Sequence, residues 1–167
     1  MADAQFNFPD LIDKLSCRMV DFLNTELAIA TIDSVLASNT LQKMQLNYLT
    51  SLISLEGSVK MFVALSYDES LFNEVFARYT AELTLDDDEQ EEAMLDSAGD
   101  IVNILVGNTL ADINDNNKKI TMSPPIVITA AKQIGCRRHS LVYRTHLITQ
   151  YGVVDVYLID CLIQDGS

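Results

Sequence analysis

Hydrophobic residues recur with a helical period in the first half of the chain. Residues 8–24 place apolar side chains every three or four positions, and Pro9 stands near the start, where its missing N–H does no harm. The segment 68–83 has the same spacing behind a polar residue, Asp68 or Ser70, that is suited to cap a helix. Both segments are therefore predicted to be amphipathic helices.

An acidic run at residues 86–92, DDDEQEE, leads into the longest helical pattern, which extends to about Asp112. Asp88 is placed to cap this helix, with Glu91 three residues further on. Negative charge is favourable at the N-terminus of a helix, where the backbone dipole is positive. We therefore interpret the run as the start of a helix rather than as a dedicated cation site.

Other segments are rich in the residues that favour strands. Residues 27–36 fit either a strand or the tail of the first helix, whereas 46–57 and 58–68 form two extended runs joined by a turn at Glu56–Gly57. Pro124 and Pro125 should lie at the edge or the start of a strand, because proline donates no ladder hydrogen bond. Three further strands are expected, within residues 120–135, 139–150 and 153–163. The predicted fold is α+β, a mostly antiparallel sheet with helices packed on one face.

Length and charge narrow the function classes. A chain of 167 residues, with 49% hydrophobic residues, suits a single domain over residues 1–167. Its net charge of −13 disfavours nucleic acid and anionic membranes as partners. The N-terminus shows no basic segment followed by an apolar run, and no apolar run approaches 18 residues. Cys17, Cys136 and Cys161 follow no paired spacing, which is typical of reduced, buried thiols in a cytoplasmic protein.

One stretch of the longest helix, DSAGDIVNILVGN, contains residues that helices disfavour. At about 100° per residue, Asp96, Asp100, Asn103 and Gly107 fall within about 60° of one another. Gly99 lies on the flank of this stripe, and glycine costs about 1 kcal/mol relative to alanine inside a helix. The stripe is thus predicted to be a surface cleared for a partner. The opposite face carries the predicted core residues Met94, Ala98, Ile101, Val102 and Leu105.

An acid and an amide three residues apart suit chemistry that resides in a bound partner. The amide of Asn103 has no useful pKa, but it can hold a water molecule by a hydrogen bond and orient it. The carboxylate of Asp100 can pair with a cationic side chain of the partner and so fix the position of that water. Solvation alone would explain the polarity of these residues, but it would not explain the two glycines beside them.

Three segments together resemble the CheX branch of the CheC/CheX/FliY family of bacterial chemotaxis phosphatases. They are EGSVKMFVALSYDESLFNEVF, DEQEEAMLDSAGDIVNILVGNTLADI and ITMSPPIVI. Their G-x-V strand, short helix, D-x-x-x-E-x-x-N helix and proline before the next strand stand in the family's order. The resemblance covers roughly residues 56–130 and implies a phosphatase of a phosphorylated CheY-type response regulator.

The resemblance also implies a role for each residue of the stripe. Asp96 matches the leading acid, Asp100 the acid that pairs with the regulator's lysine, and Asn103 the amide that orients water; Gly99 and Gly107 would contact the partner. The chain would need no cofactor or metal of its own, because Mg²⁺ would be bound by the regulator. Asp100 stands where the family usually has Glu, and its side chain is shorter by about 1.3 to 1.5 Å.

Several alternatives stay open at this point. A non-catalytic module of the same fold would bind or sequester a regulator or another signalling protein, as the short Asp100 side chain favours. A metal-dependent hydrolase would use the acidic run with His139 or His146, although a regular strand would place these histidines on opposite faces. Asp21 and Asn24 repeat the D-x-x-N spacing of the stripe and form a candidate second motif.

The resemblance further implies a homodimer that pairs through exposed strand edges. The candidate edges are residues 48–55, YLTSLISL, and residues 153–163, VVDVYLIDCLI, which are rich in strand-forming residues. An exposed edge of this kind needs protection, because its free backbone groups can pair with another chain.

Overall fold

The computed structural model describes residues 7–40, 43–57, 60–113, 120–130, 132–135 and 140–160. Three α-helices occupy Phe8–Asp21 (α1), Glu69–Tyr79 (α2) and Gln90–Ile113 (α3), and α1 continues into a π-helical turn, Phe22–Glu26. Four strands precede α2, namely β1 (Thr31–Thr40), β2 (Lys43–Gln45), β3 (Leu49–Gly57) and β4 (Met61–Tyr67). Five follow α3, namely β5 (Ile120–Met122), β6 (Ile126–Ile128), β7 (Gln133–Gly135), β8 (Leu141–Thr149) and β9 (Gly152–Asp160).

Seven of the strands form one sheet in the order β1-β8-β9-β4-β3-β5, with β6 also paired to β3. Every pairing within the described residues is antiparallel, which confirms the predicted mostly antiparallel sheet. Residues 27–36, predicted as either strand or helix tail, contain the start of β1. The predicted hairpin is β3 paired with β4, from Leu49 opposite Tyr67 to Leu55 opposite Met61.

The predicted strand over residues 120–135 is divided into three short strands. Pro124 and Pro125 are exposed between β5 and β6, and both of these strands pair with β3 at one edge of the sheet. This confirms the edge position predicted for the prolines. The chain then leaves the sheet, and β7 pairs with β2 in a separate two-stranded ribbon.

The three helices cover one face of the sheet, as predicted. In α1 the side chain of Asn7 accepts a hydrogen bond from the backbone N–H of Asp10 at 3.1 Å, and a proline occupies the first turn. The apolar positions of α1 then face the sheet at helical spacing. The main core combines these with residues of the other helices and of β3, β4, β8 and β9, including Leu11, Ile12, Leu15, Met19, Tyr67, Phe72, Ile101, Val102, Leu147 and Val156.

The ribbon of β2 and β7 covers part of the other face. Met44 of β2 is fully buried and packs with Ala64, Val142 and Tyr157 in a second, smaller apolar cluster. The Tyr157 hydroxyl donates a hydrogen bond to the backbone carbonyl of Gln45 at 3.0 Å, which ties the ribbon to β9. The sheet is therefore buried on both faces near its centre.

The N-terminus of α3 differs from the prediction by one residue. The first carbonyl to accept a helical bond is that of Glu89, from Ala93 N at 3.0 Å, so Glu89 rather than Asp88 is the cap. The Glu89 carboxylate accepts from the backbone N–H of Asp86 at 3.2 Å. Several acids in succession offer alternative caps, and the turn before Gln90 selects among them. Neither α3, with its 24 residues, nor another helix of the described residues is long and apolar enough to cross a membrane.

Cys17 is exposed, so its predicted burial is wrong. The buried stripe of α1 contains Leu15, Ser16 and Met19, and position 17 lies outside that stripe. Helical periodicity therefore turns the thiol outward although its sequence neighbour is buried. Cys136 and Cys161 lie outside the described residues.

Candidate functional site

The middle of α3 presents the polar stripe that the helical periodicity predicted. Asp96, Asp100 and Asn103 are exposed on one side of the helix. The opposite side is buried, which confirms Ala98, Ile101, Val102 and Leu105 as core residues, and Met94 packs against the core from a half-buried position. We call Asp96, Asp100 and Asn103 together the ridge.

Two small polar residues bury their hydroxyl groups on the inner side of α3 without leaving them unpaired. The Ser97 hydroxyl donates to the carbonyl of Ala93 at 2.7 Å, and the Thr109 hydroxyl donates to the carbonyl of Leu105 at 2.7 Å. Because their hydrogen bonds stay within the helix, these residues let α3 pack against the sheet with its ridge turned outward.

Gly99 is buried, which contradicts its predicted place on an open flank of the stripe. A Cβ atom at this position would stand 3.2 Å from Pro125 Cγ, closer than an ordinary contact. A side chain at position 99 would therefore require Pro125 to move by a few tenths of an ångström, because α3 approaches the segment between β5 and β6 closely. Gly107 is half-buried, and a Cβ there would meet Met122 at an ordinary 3.8 Å, so space alone does not require a glycine.

A small pocket borders the ridge on the side of Gly99. It has a volume of about 230 Å³ and lies between α3 and the start of β6. Its polar groups are the carboxylates of the ridge, and its apolar surface comes from α3, Pro125 and Val127. The lining residues are Leu95, Asp96, Gly99, Asp100, Pro125 and Val127. Gly99 thus forms part of the pocket wall, although it does not open the face of the helix.

A large cleft borders the ridge on its other side, between α3, the π-helical turn and the end of α2. It has a volume of about 810 Å³, and Ile104, Tyr79 and Phe22 are among its lining residues. Burial, and after it the carboxylate of Asp100, raises the pKa of the Tyr79 hydroxyl. The negative charge of Asp100 therefore acts on a residue in the wall of the cleft. The ridge stands between two concave surfaces.

The polar groups of the ridge are available to a partner. Within the described residues, no hydrogen bond or ion pair engages the side chain of Asp96, Asp100 or Asn103. In contrast, Arg18 of α1 and Asp112 near the end of α3 form an ion pair with each other. Two free carboxylates and a free amide on a rigid helix can bind a cationic group and orient a water molecule.

The candidate second motif has a different local geometry. Asp21 is the last residue of α1, and Asn24 lies within the π-helical turn. A π-helix turns through a smaller angle per residue than an α-helix, so a spacing of three does not align Asp21 and Asn24 as it aligns Asp100 and Asn103. Asp21 lines the large cleft and Asn24 does not. The structure therefore disfavours a second copy of the ridge here.

His146 belongs to a hydrogen-bonded network on the second face of the sheet. Its Nδ1 lies 2.6 Å from an oxygen of Asp155, a carboxylate with only 1% exposure. Arg144 donates to both oxygens of that carboxylate at 2.9 and 3.0 Å, and the Asn47 amide donates to one of them at 3.0 Å. The sequence offers a signal for this pair, because the tight turn between β8 and β9 places His146 opposite Asp155.

The structure gives no support to the metal-hydrolase alternative. In the part of the chain that it describes, no three His, Cys, Asp or Glu side chains are arranged to hold a metal ion. His139 lies outside the described residues. Since the carboxylate beside His146 is already occupied by Arg144 and Asn47, the network stabilises the fold rather than offering an open coordination site.

We expect Asp155→Ala to lower the free energy of unfolding by about 2 to 3 kcal/mol. The substitution removes the acceptor of four hydrogen-bond donors, but the loss is moderated because the Arg144 side chain is 41% exposed and can turn to solvent. Urea unfolding followed by circular dichroism measures the change. The matched control is Glu56→Ala, an exposed strand carboxylate expected to matter by less than about 0.5 kcal/mol. Equal midpoints for the two variants would contradict the prediction.

The segment that contains the ridge also matches a known protein family. A sequence model described as "Chemotaxis phosphatase CheX" matches residues 49–145, more than half of the chain. The chain belongs to the CheX family. The matched segment of this CheX-family chain begins at β3 and includes all of α3, so the ridge and the small pocket lie within it. The large cleft lies only partly within it, because the end of α1 and the π-helical turn precede residue 49. A search of curated proteins finds no match.

Solved structures with the same fold come from several bacteria. The chain resembles a chemotaxis protein CheX from Desulfovibrio desulfuricans (TM-score 0.75, 14% identity), covering 89% of this chain and 97% of that one. It also resembles a CheC-like superfamily protein from Shewanella sp. PV-4 (TM-score 0.70, 18% identity; 92% and 98% covered). A third similar structure is the CheX–CheY–BeF₃–Mg²⁺ complex from Borrelia burgdorferi (TM-score 0.69, 17% identity; 94% and 100% covered). These similarities establish the CheX/CheC-like fold of this family member.

Proposed function

We propose that this CheX-family protein is a phosphatase of a phosphorylated CheY-type response regulator and that Asn103 orients the attacking water. The observation that carries the proposal is the ridge itself. Asp100 and Asn103 are exposed at the centre of a well-packed helix within the matched segment, and no side chain of the described residues forms a hydrogen bond or ion pair with them. The similar CheX from Borrelia burgdorferi was crystallised with CheY, BeF₃ and Mg²⁺.

In the proposed reaction the ridge acts on an aspartyl phosphate of the regulator. The Asn103 amide holds a water molecule in line with the bond between phosphorus and the aspartyl oxygen. The water oxygen bonds to phosphorus as that bond breaks, which yields inorganic phosphate and the free carboxylate of the regulator. Mg²⁺ held by the regulator would neutralise phosphoryl charge. Because an amide has no proton-accepting role at neutral pH, Asn103 contributes position rather than base catalysis.

Asp100 is proposed to fix the register of the complex by pairing with a lysine of the regulator. The small pocket suits such a side chain: Pro125 and Val127 offer apolar contact to the methylene groups, while the carboxylates of Asp96 and Asp100 face the ammonium group. A lysine held in this way would bring the phosphoryl group to a constant position relative to Asn103.

A non-catalytic role is the second candidate, and the identity of residue 100 favours it. Aspartate is shorter than the family's usual glutamate by about 1.3 to 1.5 Å, and a misplacement of about 1 Å can cost a hundredfold in rate. In that case the protein would bind the activated regulator through the ridge and sequester it without accelerating hydrolysis.

A dephosphorylation assay separates the two candidates. CheY-type regulators from the same organism are phosphorylated with acetyl phosphate and Mg²⁺, the donor is removed, and the loss of phosphoprotein is followed with and without a catalytic amount of this protein. The phosphatase proposal requires faster decay with turnover. Unchanged decay combined with binding of the BeF₃-activated regulator would identify the sequestering module. Failure of both would overturn the proposed partner.

A homodimer through a strand edge is also proposed, at a different edge from the predicted ones. The candidate segments 48–55 and 153–163 are wrong for this purpose over their described residues, because β3 and β9 are paired on both sides within the sheet; residues 161–163 lie outside the described residues. Among the described residues, β1 lies at one edge of the sheet, and the short strands β5 and β6 lie at the other. Three of the apolar side chains of β1, Ile32, Val35 and Leu36, are 68%, 52% and 52% exposed. A long edge strand with apolar side chains on its surface is suited to pair with a second copy.

We expect the double substitution Val35→Lys and Leu36→Lys to convert this dimer to a monomer. Charged side chains on an edge strand oppose strand pairing, and the new lysines of the two copies would repel one another across the interface. Sedimentation equilibrium at micromolar concentration measures the mass. The control is Leu83→Lys, at an apolar residue outside the strands that is 62% exposed. Circular dichroism checks that both variants fold. A monomeric wild type, or a double variant that stays dimeric, would rule out the β1 interface.

A further inference from the structure

We propose that the large cleft is a second contact surface for the response regulator, and that it receives an apolar side chain which the regulator presents beside its phosphorylated aspartate, flanked by basic groups. This inference rests on the proposed function and extends it. It assigns specificity for the regulator to Ile104 and to the walls of the cleft, which lie beside Asn103 but have no part in orienting the water.

The cleft is continuous with the ridge. Ile104 follows Asn103 directly on α3, is 47% exposed and lines the cleft. On the facing wall, the Tyr79 hydroxyl responds to the charge of Asp100. A protein that brings an aspartyl phosphate to Asn103 would therefore lie next to Ile104. The position of the ridge therefore supports contact between the regulator and the cleft.

The inner surface of the cleft is apolar and firmly held. Phe22 and Tyr79 pack edge to face, with ring centroids 6.2 Å apart and planes at 60°. Leu105, which is 6% exposed, forms part of the surface between them and Ile104. A volume of about 810 Å³ is ample for one large side chain and its backbone. An exposed isoleucine next to a preformed aromatic wall is suited to anchor a partner's apolar side chain.

The charged groups around the cleft favour a basic partner. Arg18 pairs with Asp112, and the guanidinium of Arg78 donates to a carboxylate, two backbone carbonyls and a tyrosine hydroxyl, so both cations are already occupied. The carboxylates of Asp21 and Glu26 line the cleft without a partner among the described residues. An anionic small molecule would meet uncompensated negative charge here. The same two carboxylates disfavour a second copy of this chain, with its net charge of −13, as the occupant of the cleft.

The test is a comparison of steady-state kinetics between Ile104→Ser and Ile126→Ser, with the phosphorylated regulator as substrate. Ile126 is a matched control: it is 58% exposed, and its pairing with Leu52 places it on the opposite face of the sheet from α3. Losing the apolar contact of Ile104 is expected to raise KM about tenfold while kcat stays within about twofold. The Ile126→Ser variant should match the wild type in both constants.

Binding of the BeF₃-activated regulator gives a readout that does not depend on turnover. Ile104→Ser is expected to weaken that affinity by the same factor of about ten. Glu26→Lys is expected to weaken it as well, and the loss of affinity should be larger at low salt than at high salt. An unchanged KM and an unchanged affinity in Ile104→Ser would overturn the proposal for the cleft, while wild-type turnover would leave the phosphatase function standing. If the wild type neither binds nor dephosphorylates a regulator, the proposed function itself has failed. Both positions are exposed, and circular dichroism confirms that each variant is folded.

Discussion

Asn103→Ala is expected to lower the rate at which this protein dephosphorylates the regulator by about a hundredfold or more. A loss of this order is typical when a positioning group is misplaced or missing. The amide is the one group of the ridge that can donate and accept hydrogen bonds at the same time, which orienting a water molecule requires. Its removal leaves the carboxylates of Asp96 and Asp100 intact. Binding should therefore persist while turnover is lost.

The measurement is the initial rate of phosphate loss, together with the affinity for the BeF₃-activated regulator. Asn73→Ala is the matched control, because Asn73 is an exposed asparagine of α2 that does not line either concave surface next to the ridge. Asn24→Ala probes the candidate second motif and is expected to leave the rate unchanged, since the π-helical turn does not align Asn24 with Asp21. A fully active Asn103→Ala variant would exclude the proposed role of the amide.

Asp100→Glu is expected to raise the rate of dephosphorylation by up to about a hundredfold. The added methylene extends the carboxylate by about 1.3 to 1.5 Å, so the pairing lysine of the regulator would be held where the family's usual glutamate holds it. Asp100 is exposed, and glutamate is a better helix former than aspartate, so the substitution should not harm the fold. The gain should appear as a higher kcat rather than only as a lower KM.

Two further variants separate the effect of side-chain length at residue 100 from the effect of its charge and position. Asp96→Glu makes the same chemical change one helical turn away, and no gain is expected there. Asp100→Asn removes the charge and should weaken binding of the activated regulator. If the wild type is inactive and Asp100→Glu is active, the natural protein is the sequestering module and the length of this side chain is the reason. Wild-type behaviour in both Asp100 variants would show that residue 100 does not contact the regulator.

The elements of the fold that depend on local interactions could be predicted from the sequence. The three helices and the β3–β4 hairpin follow from hydrophobic period, capping residues and turn residues, which act between residues close in the chain. The exposure of Asp96, Asp100 and Asn103 followed from the same period, because a helix has one buried side and this one is amphipathic in its middle. The cap of α3 was wrong by one residue, since neighbouring acids compete for that position.

Features that depend on strand order could not be predicted in this way. Nothing local reveals that β9 lies inside the sheet and β1 at its edge, so the candidate dimer edges were misplaced. The alternation of β8 and β9 permits a pair between His146 and Asp155, but the burial of Asp155 and its bonds to Arg144 and Asn47 exist only after the sheet has formed. Long-range pairing is set by the combined packing of many elements.

The surroundings of Gly99 show most clearly which features the sequence determined and which the tertiary structure determined. The sequence by itself determined that residues 96–108 form a helix with an acid and an amide turned outward, because periodicity and side-chain chemistry are properties of the segment alone. Only the tertiary structure decided how little space there is beside them: Pro125, 26 positions away in the chain, stands 3.2 Å from where a Cβ of residue 99 would lie. It also decided that the ridge lies between a small pocket and a large cleft, because both are formed where α3 meets other elements of the fold.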